Sequence, residues 1–327
     1  MGLSICKVGI AGYGDMGKMY YKILKNLRLD IGVADPFSEE ENFLKDYKEL
    51  KNYDIIIIAL PTEMHKEAIK FFSDKQRALL VEKPLCLTYK ESKETFEEIE
   101  NSQLRVMCGL TGLYHPEFKK MYEQIKNIGK IKRIKEKLHE ASPNLKKYLN
   151  TKKGVLTING IHTIHRFYKI AKILNPAERL SIEKVIISNK HFKSEGEDSA
   201  TGVLKLGSIP FEFDISYRNC DKCDNGYPIE YETKIEGEKG VIHVIGWESC
   251  ELETGGRILT LYRHPDGPLS GQSQYSRVEL GLKEQIKEFF SFVQSNEKIH
   301  PTVKECIDAQ KLLEECYQKA DRKREMN

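Results

Sequence analysis

Two patterns of apolar and polar residues divide the chain. Residues 5 to about 112 alternate short apolar runs with amphipathic stretches, which is typical of βαβ units on a parallel sheet. Helical periodicity occurs at 17–27, 62–72 and 88–101. The predicted strands are Ile5–Ala11, Ile31–Ala34, Ile55–Leu60, Leu79–Val81 and Val106–Cys108. The first part of the chain therefore predicts an α/β domain with a parallel sheet.

The second pattern is rich in β-strand formers and runs from about residue 183 to 262, with Gly, Asn and Asp turns between the runs. The predicted strands here are Glu183–Ser188, Gly202–Leu206, Phe211–Tyr217, Tyr231–Glu236, Gly240–Val244 and Arg257–Leu261. Hairpin-like spacing predicts a largely antiparallel sheet, bracketed by helical patterns at 153–174 and 277–322. We predict two domains, 1–120 and 121–327. The C-terminal helix at about 277–322 is expected to pack back toward the first domain.

Composition narrows the class of protein. The 327 residues include 52 basic and 49 acidic ones that alternate along the chain, so nucleic acid and anionic membranes are not expected partners. The longest apolar run, Ile55–Pro61, is too short to span a bilayer. The N-terminus enters a strand without a signal-peptide layout, and the eight scattered cysteines resemble reduced thiols. These features predict a cytoplasmic protein.

Two groups of residues have metal-ligand spacing. Cys220 and Cys223 have the spacing of half of a zinc site, with His191 or His243 as conceivable partners, but no second C-x-x-C pair is present, so a plain turn is the favoured interpretation. His162 and His165 lie three residues apart without a flanking carboxylate. We predict no metal site.

The strongest chemical motif follows the first predicted strand. Gly12, Gly14 and Gly17 form G-x-G-x-x-G at the start of a predicted helix, where Asp15 and Met16 also lie. Gly12 permits the tight turn, Gly14 lets the main chain approach a pyrophosphate, and Gly17 allows close helix–strand packing. The amides of the helix N-terminus then attract the phosphates. The motif predicts a binding site for NAD or NADP.

Asp35 ends the second predicted strand, about 20 residues beyond the glycines, where a carboxylate accepts hydrogen bonds from the adenosine ribose. A carboxylate repels a 2′-phosphate, so Asp35 favours NAD over NADP. Lys18 and Arg28 leave NADP as the alternative, since either side chain would offer a cation to that phosphate.

Further motifs point to a family. A strand-turn segment ends in Pro61, Thr62 and His65, and a later strand ends in Glu82-Lys83-Pro84. With the glycine loop, these motifs resemble the Gfo/Idh/MocA oxidoreductases, which include glucose–fructose oxidoreductase and inositol dehydrogenase. The resemblance implies an N-terminal Rossmann domain and a C-terminal α+β domain with an open-faced sheet. The cofactor contacts that it implies, besides the glycine loop and Asp35, are Leu60, Pro61, Thr62, His65, Glu82 and Lys83.

Lys83 is the first candidate catalytic residue. It leaves a buried parallel strand at the carboxyl edge of the sheet, where such folds bind ligands. An ammonium group there can donate to a substrate oxygen and stabilise a developing alkoxide. The family uses this lysine in catalysis, and the resemblance assigns the same role to Lys83. A surface lysine is the alternative interpretation.

His162 is the second candidate, as a general acid or base. The family places an aspartate four residues before this histidine, but this chain has Ile158. His162 would then act alone, or with Asn159 or His165, which we assign to the substrate pocket. A packed core histidine is the alternative.

A second departure lies before Pro116. Many relatives carry Arg-Phe there, whereas this chain has Leu113 and Tyr114. We predict that Tyr114 and His115 line the substrate pocket, with simple packing as the alternative. Loss of the aspartate, replaced by Ile158, and of the arginine, replaced by Leu113, implies either an unusual substrate or weakened catalysis.

Family members commonly form dimers or tetramers through the open sheet, so the resemblance implies a homo-oligomer. Apolar residues in the predicted strands would supply that face: Phe211, Phe213, Ile215, Tyr217 and Tyr231.

Three functional hypotheses follow. The first is an NAD(P)-dependent dehydrogenase or reductase acting on a sugar, a nucleotide-sugar or a cyclic polyol. The second keeps the cofactor but uses transient oxidation to assist elimination, as in NAD-dependent glycosidases of the family. The third is a nucleotide-binding regulator that has lost turnover.

Overall fold

The computed structural model divides into two compact units. The first comprises Met1–Thr111 and Leu282–Gln310, and the second comprises Gly112–Gly281 and Lys311–Asn327. The division lies at Thr111, before the predicted boundary at residue 120, and residues 282–310 group with the first unit. The structure describes residues 7–27, 29–141, 154–218, 230–267, 274–295 and 301–323.

The first unit contains a parallel sheet of five strands in the order β2-β1-β3-β4-β5. The strands are β1 (Lys7–Ala11), β2 (Asp30–Ala34), β3 (Ile55–Ile58), β4 (Ala78–Glu82) and β5 (Arg105–Gly109). Three α-helices connect them: α1 (Asp15–Lys25), α2 (His65–Phe71) and α3 (Tyr89–Glu100). The predicted α/β domain with a parallel sheet is confirmed, with element ends displaced by a few residues.

The order of the strands determines where a ligand can bind. β1 pairs in parallel with β2 on one side and with β3 on the other. Successive strands are therefore added first to one side of β1 and then to the other. Each isoleucine of β3 is at least 98% buried, because a parallel strand between two layers has no face in water. The crevice at the carboxyl ends of β1 and β3 is the position where open α/β sheets bind ligands.

The C-terminal helical pattern forms two helices, so the predicted continuous helix at 277–322 is wrong. Helix α6 spans Gln274–Gln294 and α7 spans Val303–Lys319, with residues 296–300 outside the described part of the chain. A capping box begins α7. The Glu305 amide donates to the Thr302 hydroxyl (3.2 Å), and the Thr302 amide donates to the Glu305 carboxylate (2.6 Å).

Two polar side chains join these helices to the rest of the first unit. The Arg105 guanidinium donates to the carbonyls of Phe292, Val293 and Ser295 at the end of α6. The Ser92 hydroxyl donates to Gln310 of α7 (2.7 Å). Arginine beside helix carbonyls stabilises the negative end of the helix dipole. The first unit is thus completed by residues far along the chain.

The second unit contains a mixed sheet of nine strands in the order β13-β12-β11-β10-β6-β9-β8-β7-β14. Pairing is antiparallel except for β6–β9 and β14–β7, so the predicted largely antiparallel sheet is confirmed. Strands β6, β12 and β14, and helix α4, were not predicted. The elements are α4 (Pro116–Gln124), β6 (Ile131–Ala141), α5 (Ile161–Leu174), β7 (Ser181–Ser188), β8 (Ser199–Leu206), β9 (Ile209–Arg218), β10 (Glu230–Gly237), β11 (Gly240–Ile245), β12 (Ser249–Thr254), β13 (Arg257–Arg263) and β14 (Asp321–Lys323).

One face of this sheet packs against α4 and α5. Phe211 contacts Phe167 of α5, and Tyr231 contacts Phe118 of α4, with ring centroids 5.3 and 5.5 Å apart. The predicted placement of the five apolar strand residues on the open face is therefore wrong, because all five are buried: Phe211, Phe213, Ile215, Tyr217 and Tyr231.

The opposite face carries charged residues, as period-2 alternation requires when the apolar positions face the helices. Arg133 forms two hydrogen bonds with Glu212, each 2.7 Å, across β6 and β9. His139 contacts Asp214 and Glu230, and the lysine and histidine partners hold the pKa of Glu230 at about 2. The open face therefore carries ion pairs that join neighbouring strands.

A buried ion pair lies between α5 and the sheet. The Arg166 guanidinium donates to both carboxylate oxygens of Glu136, and both side chains are inaccessible to solvent. Thr163 and Thr233 also donate to Glu136, at 2.5 and 3.1 Å. A buried carboxylate is stable only when such donors replace water.

Arg166→Met should lower the free energy of unfolding by about 3–5 kcal/mol, because Glu136 would remain buried without its cation. Arg133→Met is the matched control, since its pair with Glu212 is partly exposed and contributes about 1 kcal/mol or less. Urea unfolding of both variants measures the difference. Equal losses would contradict this assignment.

Candidate cofactor and catalytic site

The glycine loop connects β1 to α1 as the motif predicts. Gly12 has φ of +96°, and a Cβ there would lie 2.5 Å from the Ala59 carbonyl oxygen. A Cβ at Gly17 would lie 2.1 Å from the carbonyl oxygen of Gly12. The fold itself therefore excludes side chains at Gly12 and Gly17.

Gly14 differs from both of these glycines. Its φ is −68°, which any residue adopts, and among the described residues a Cβ built there has no atom within 4 Å apart from its chain neighbours and the backbone of its own helix. Gly14 caps the N-terminus of α1, where the first amides carry partial positive charge. Asp15 and Met16 follow it in the first turn. The space that a Cβ would fill is the space that a diphosphate needs, so the loop fits a dinucleotide.

Asp35 lies directly after β2 and is half-buried. Its two carboxylate oxygens accept hydrogen bonds from the amides of Tyr13 (2.6 Å) and Phe37 (2.8 Å). These bonds fix the carboxylate beside the glycine loop, and each oxygen keeps a second lone pair for a ribose hydroxyl. The exposed ring of Phe37, 92% accessible, extends next to it and was not predicted from the sequence.

Asp35→Ser should reduce the preference for NADH over NADPH by about tenfold or more, because it removes a negative charge close to the expected position of the 2′-phosphate. Fluorescence titration with both nucleotides measures the ratio of dissociation constants. Asp30→Ser, at the opposite end of β2, is the control and should leave the ratio unchanged. An unchanged ratio in Asp35→Ser would contradict the role assigned to this carboxylate.

The turn after β3 contains Leu60, Pro61 and Thr62, and His65 begins α2. His65 is 1% exposed, and its ring nitrogens face three main-chain carbonyls. They are those of Leu60 (2.9 Å), Pro84 (3.0 Å) and Leu85 (3.2 Å). Burial lowers the pKa of His65. The histidine thus ties the turn after β3 to the turn after β4, and its direct contact with the cofactor stays a prediction.

Lys83 follows β4 at the same carboxyl edge of the sheet and is half-buried. A cis peptide bond joins it to Pro84. The preceding Glu82 is buried, accepts a hydrogen bond from the Tyr20 hydroxyl (2.6 Å) and accepts another from the Lys83 amide (3.2 Å). Burial raises the pKa of Glu82, while Tyr20 and the charge of Lys83 oppose that shift. The main chain at Lys83 is therefore held by the buried Glu82 carboxylate, which Tyr20 holds in turn.

His162 belongs to the second unit, so the two predicted catalytic residues lie in different units. It is half-buried in the first turn of α5, and Arg166 lies one helical turn further on. A Cβ at Gly112 would lie 3.1 Å from His162 Nδ1 and 3.2 Å from Arg166 Nη1. The short helical turn at Thr111–Leu113 thus approaches this histidine closely.

A π-helical segment, Leu156–Gly160, precedes α5, and π-turns of this kind are frequent at functional sites. It contains Ile158, which stands where the family has an aspartate, and Asn159. The Asn159 side chain donates to Glu140 on β6 (2.7 Å). The sequence predicted a continuous helix here. The contact of Asn159 with substrate stays a prediction.

The other predicted pocket residues are packed inside the second unit. Tyr114, His115 and His165 are 5% exposed or less. Burial, followed by Arg166 and His264, lowers the pKa of His115 to about 3, so this imidazole is neutral. A Cβ at Gly281 would lie 2.4 Å from its ring. For these residues the structure shows packing, and contact with substrate stays a prediction.

Among the described residues, no group of three or more His, Cys, Asp or Glu side chains is arranged to hold a metal ion. In the same part of the chain, no helix is long and apolar enough to cross a membrane. The predicted turn at Cys220 and Cys223 lies outside the described residues, as does Arg28.

The first unit resembles a known family of proteins. Residues 6–110 match the Gfo/Idh/MocA model, described as an oxidoreductase family with an NAD-binding Rossmann fold. The resemblance seen in the glycine loop and the Glu82-Lys83-Pro84 motif is confirmed, and with it an NAD(P)-dependent oxidoreductase with a Rossmann domain.

Relatives of the Gfo/Idh/MocA domain extend over the rest of the chain. An inositol 2-dehydrogenase of Rhizobium meliloti is 20% identical over 341 residues, covering 98% of each chain. An oxidoreductase of Agrobacterium radiobacter, solved with NAD⁺, L-tartaric acid and magnesium, has a TM-score of 0.81 at 15% identity, covering 97% of this chain and 96% of its own. Levoglucosan dehydrogenase, solved with NADH and levoglucosan, has a TM-score of 0.77 at 16% identity, covering 96% of each chain. These structures share the fold of both units.

Proposed function

We propose that this protein is a dehydrogenase or reductase that transfers a hydride between NAD and a carbinol or carbonyl of a sugar or cyclic polyol. The observation that carries the cofactor assignment is the open space at Gly14 beside the half-buried Asp35 carboxylate. The substrate class is supported by the relatives, which include an inositol 2-dehydrogenase and a levoglucosan dehydrogenase.

We propose the following cofactor-binding residues. Asp35 binds the adenosine ribose, and the amides at the start of α1 bind the diphosphate. The loops after β3 and β4 border the same carboxyl edge of the sheet, where the nicotinamide half of the cofactor is expected. The proposed contacts there are Leu60, Pro61, Thr62, His65, Glu82 and Lys83.

When bound, the nicotinamide supplies the hydride acceptor or donor, and the protein supplies the remaining groups. Lys83 donates a hydrogen bond to the substrate oxygen and stabilises its developing negative charge. His162 takes the hydroxyl proton during oxidation and returns it during reduction. Without an aspartate at position 158, the histidine acts without a neighbouring carboxylate on its own helix, and Tyr114, His115, Asn159 and His165 are the proposed pocket residues.

A two-step experiment tests this proposal. Fluorescence titration with NADH and NADPH first measures cofactor affinity, and NADH is expected to bind more tightly. Nicotinamide absorbance is then followed with myo-inositol, scyllo-inositol, levoglucosan and glucose. Net reduction of NAD by one of these compounds is the expected result. Product formation without net cofactor change would favour transient oxidation, and tight binding without turnover would favour a regulator.

We further propose that the protein is a cytoplasmic homo-oligomer, a dimer or tetramer, that associates through the open face of the nine-stranded sheet. Neither α4 nor α5 covers this face, and its ion pairs, such as Arg133–Glu212, would present alternating charge to a second copy. Sedimentation velocity at low and high salt measures the association. A monomer at all concentrations would contradict this proposal.

A further inference from the structure

A line of buried polar side chains crosses the first unit and ends at Lys83. The Thr111 hydroxyl donates to Gln285 Oε1 (3.2 Å), and the Gln285 amide donates to the Tyr20 hydroxyl (2.8 Å). Tyr20 then donates to Glu82 Oε1 (2.6 Å), and Glu82 Oε2 accepts from the Lys83 amide (3.2 Å). Tyr20 and Gln285 are completely buried. Every link in this line is a hydrogen bond within the first unit.

The line has a definite direction. Each member donates toward Glu82, so this carboxylate is the final acceptor and receives a hydrogen bond on each oxygen. The β5 strand confines it from the other side, because a Cβ at Gly109 would lie 2.9 Å from Glu82 Oε1. Donors to both oxygens stabilise the ionised carboxylate in a site where burial alone would favour the acid.

The members come from distant parts of the chain. Tyr20 lies on the buried face of α1 and Gln285 lies on α6, 265 residues later. A buried tyrosine hydroxyl needs one partner, yet this one both accepts and donates. A core built for stability alone is usually as stable, or more so, with apolar side chains in such positions. Stability alone therefore does not explain why a carboxylate, Glu82, lies buried at the end of this line.

We propose that Tyr20 and Gln285 are positioning residues for Lys83, and that they act through Glu82. The inference rests on the catalytic role proposed for Lys83. The two residues hold the Glu82 carboxyl group in one orientation. Glu82 in turn fixes the main chain at Lys83, because it accepts a hydrogen bond from the Lys83 amide. Catalytic groups require this kind of rigid support, because small displacements are costly in rate.

Tyr20→Phe tests the first link. It removes one hydroxyl and leaves the ring, so kcat should fall about tenfold or more, while the dissociation constant for NADH and the KM for substrate change little. The assay uses the sugar or polyol of the panel that wild-type protein oxidises fastest. Tyr47→Phe is the matched control, because Tyr47 also donates to a glutamate, Glu67 (3.0 Å), on the outer side of the same unit. Its turnover should equal that of wild type.

An exchange of the two end groups separates positioning from simple stability. In the double variant Glu82→Gln with Gln285→Glu, the line can reverse, because the Tyr20 hydroxyl can donate to the new carboxylate on α6 and accept from the new side-chain amide at the end of β4. The total charge and the number of hydrogen bonds are kept, but the carboxylate moves away from Lys83. Thermal stability should recover relative to Glu82→Gln alone, whereas kcat should stay at least about tenfold below wild type.

The outcomes distinguish this inference from the proposed function. If Lys83→Ala shows its expected loss of kcat, then wild-type kcat in Tyr20→Phe, or recovery of kcat in the exchanged variant, would overturn the positioning role alone. Loss of NADH affinity equal to the loss of kcat would also overturn it, since the line would then support the nucleotide site. Full turnover by Lys83→Ala, or no turnover by wild-type protein, would remove both proposals.

Discussion

Lys83→Ala should lower kcat by about two to three orders of magnitude, because the substrate oxygen would lose its charged hydrogen-bond donor in the transition state. The dissociation constant for NADH should change little, since the glycine loop and Asp35 are untouched. Stopped-flow or steady-state absorbance of the nicotinamide, together with fluorescence titration, measures both quantities.

The control for this variant is Lys93→Ala. Lys93 lies on the exposed side of α3 and pairs only loosely with Glu97 at 3.9 Å, so its removal should leave kcat and NADH affinity at wild-type values. Turnover of Lys83→Ala equal to that of Lys93→Ala would remove Lys83 from the mechanism.

Gly14→Val should abolish measurable nucleotide binding and leave the fold intact. The backbone at Gly14 has φ of −68°, and a Cβ there meets no atom of the described residues beyond its chain neighbours and its own helix, so the fold leaves room for a side chain. It would occupy the space that a diphosphate needs at the N-terminus of α1. The dissociation constant for NADH should rise about a hundredfold or more, as measured by fluorescence titration.

Gly17→Ala provides the contrast. Its Cβ would lie 2.1 Å from the Gly12 carbonyl oxygen, so this smaller substitution should lower the melting temperature of the whole protein. If Gly14→Val also lowers the melting temperature, or if it binds NADH as wild type does, the glycine has a role within the fold and the interpretation of the loop is wrong.

The first unit and its cofactor loop were predictable from the sequence because their signals are local. The spacing of Gly12, Gly14 and Gly17 predicts a tight turn, an approach of the main chain to a pyrophosphate, and close packing of the helix on the strand. Parallel strands joined by helices place their carboxyl ends at one edge, so Asp35 and Lys83 could be assigned to that edge without coordinates. Thr302 and Glu305 carried an equally local signal, a capping box, which would have divided the predicted C-terminal helix in two.

The missed elements depend on partners far along the chain. Strand β6 contains Glu136 at a position that faces the helices, which disrupts the apolar alternation, and its partner Arg166 lies 30 residues later. The polar line at Lys83 was also invisible, because Tyr20 occupies the apolar side of an amphipathic helix, and Gln285 is 265 residues away. Such pairs become recognisable only when the fold brings them together.

The discontinuous make-up of the first unit has a consequence for biosynthesis. Because Arg105 and Ser92 bind residues of α6 and α7, a ribosome must translate eight of the nine strands of the second sheet before the nucleotide-binding unit can close. During that interval the five parallel strands lack their contacts with α6 and α7. A partly packed sheet of this kind is prone to aggregation and is a target for chaperones. A nascent chain stalled after residue 111 should therefore remain sensitive to protease, whereas one released beyond residue 310 should acquire resistance.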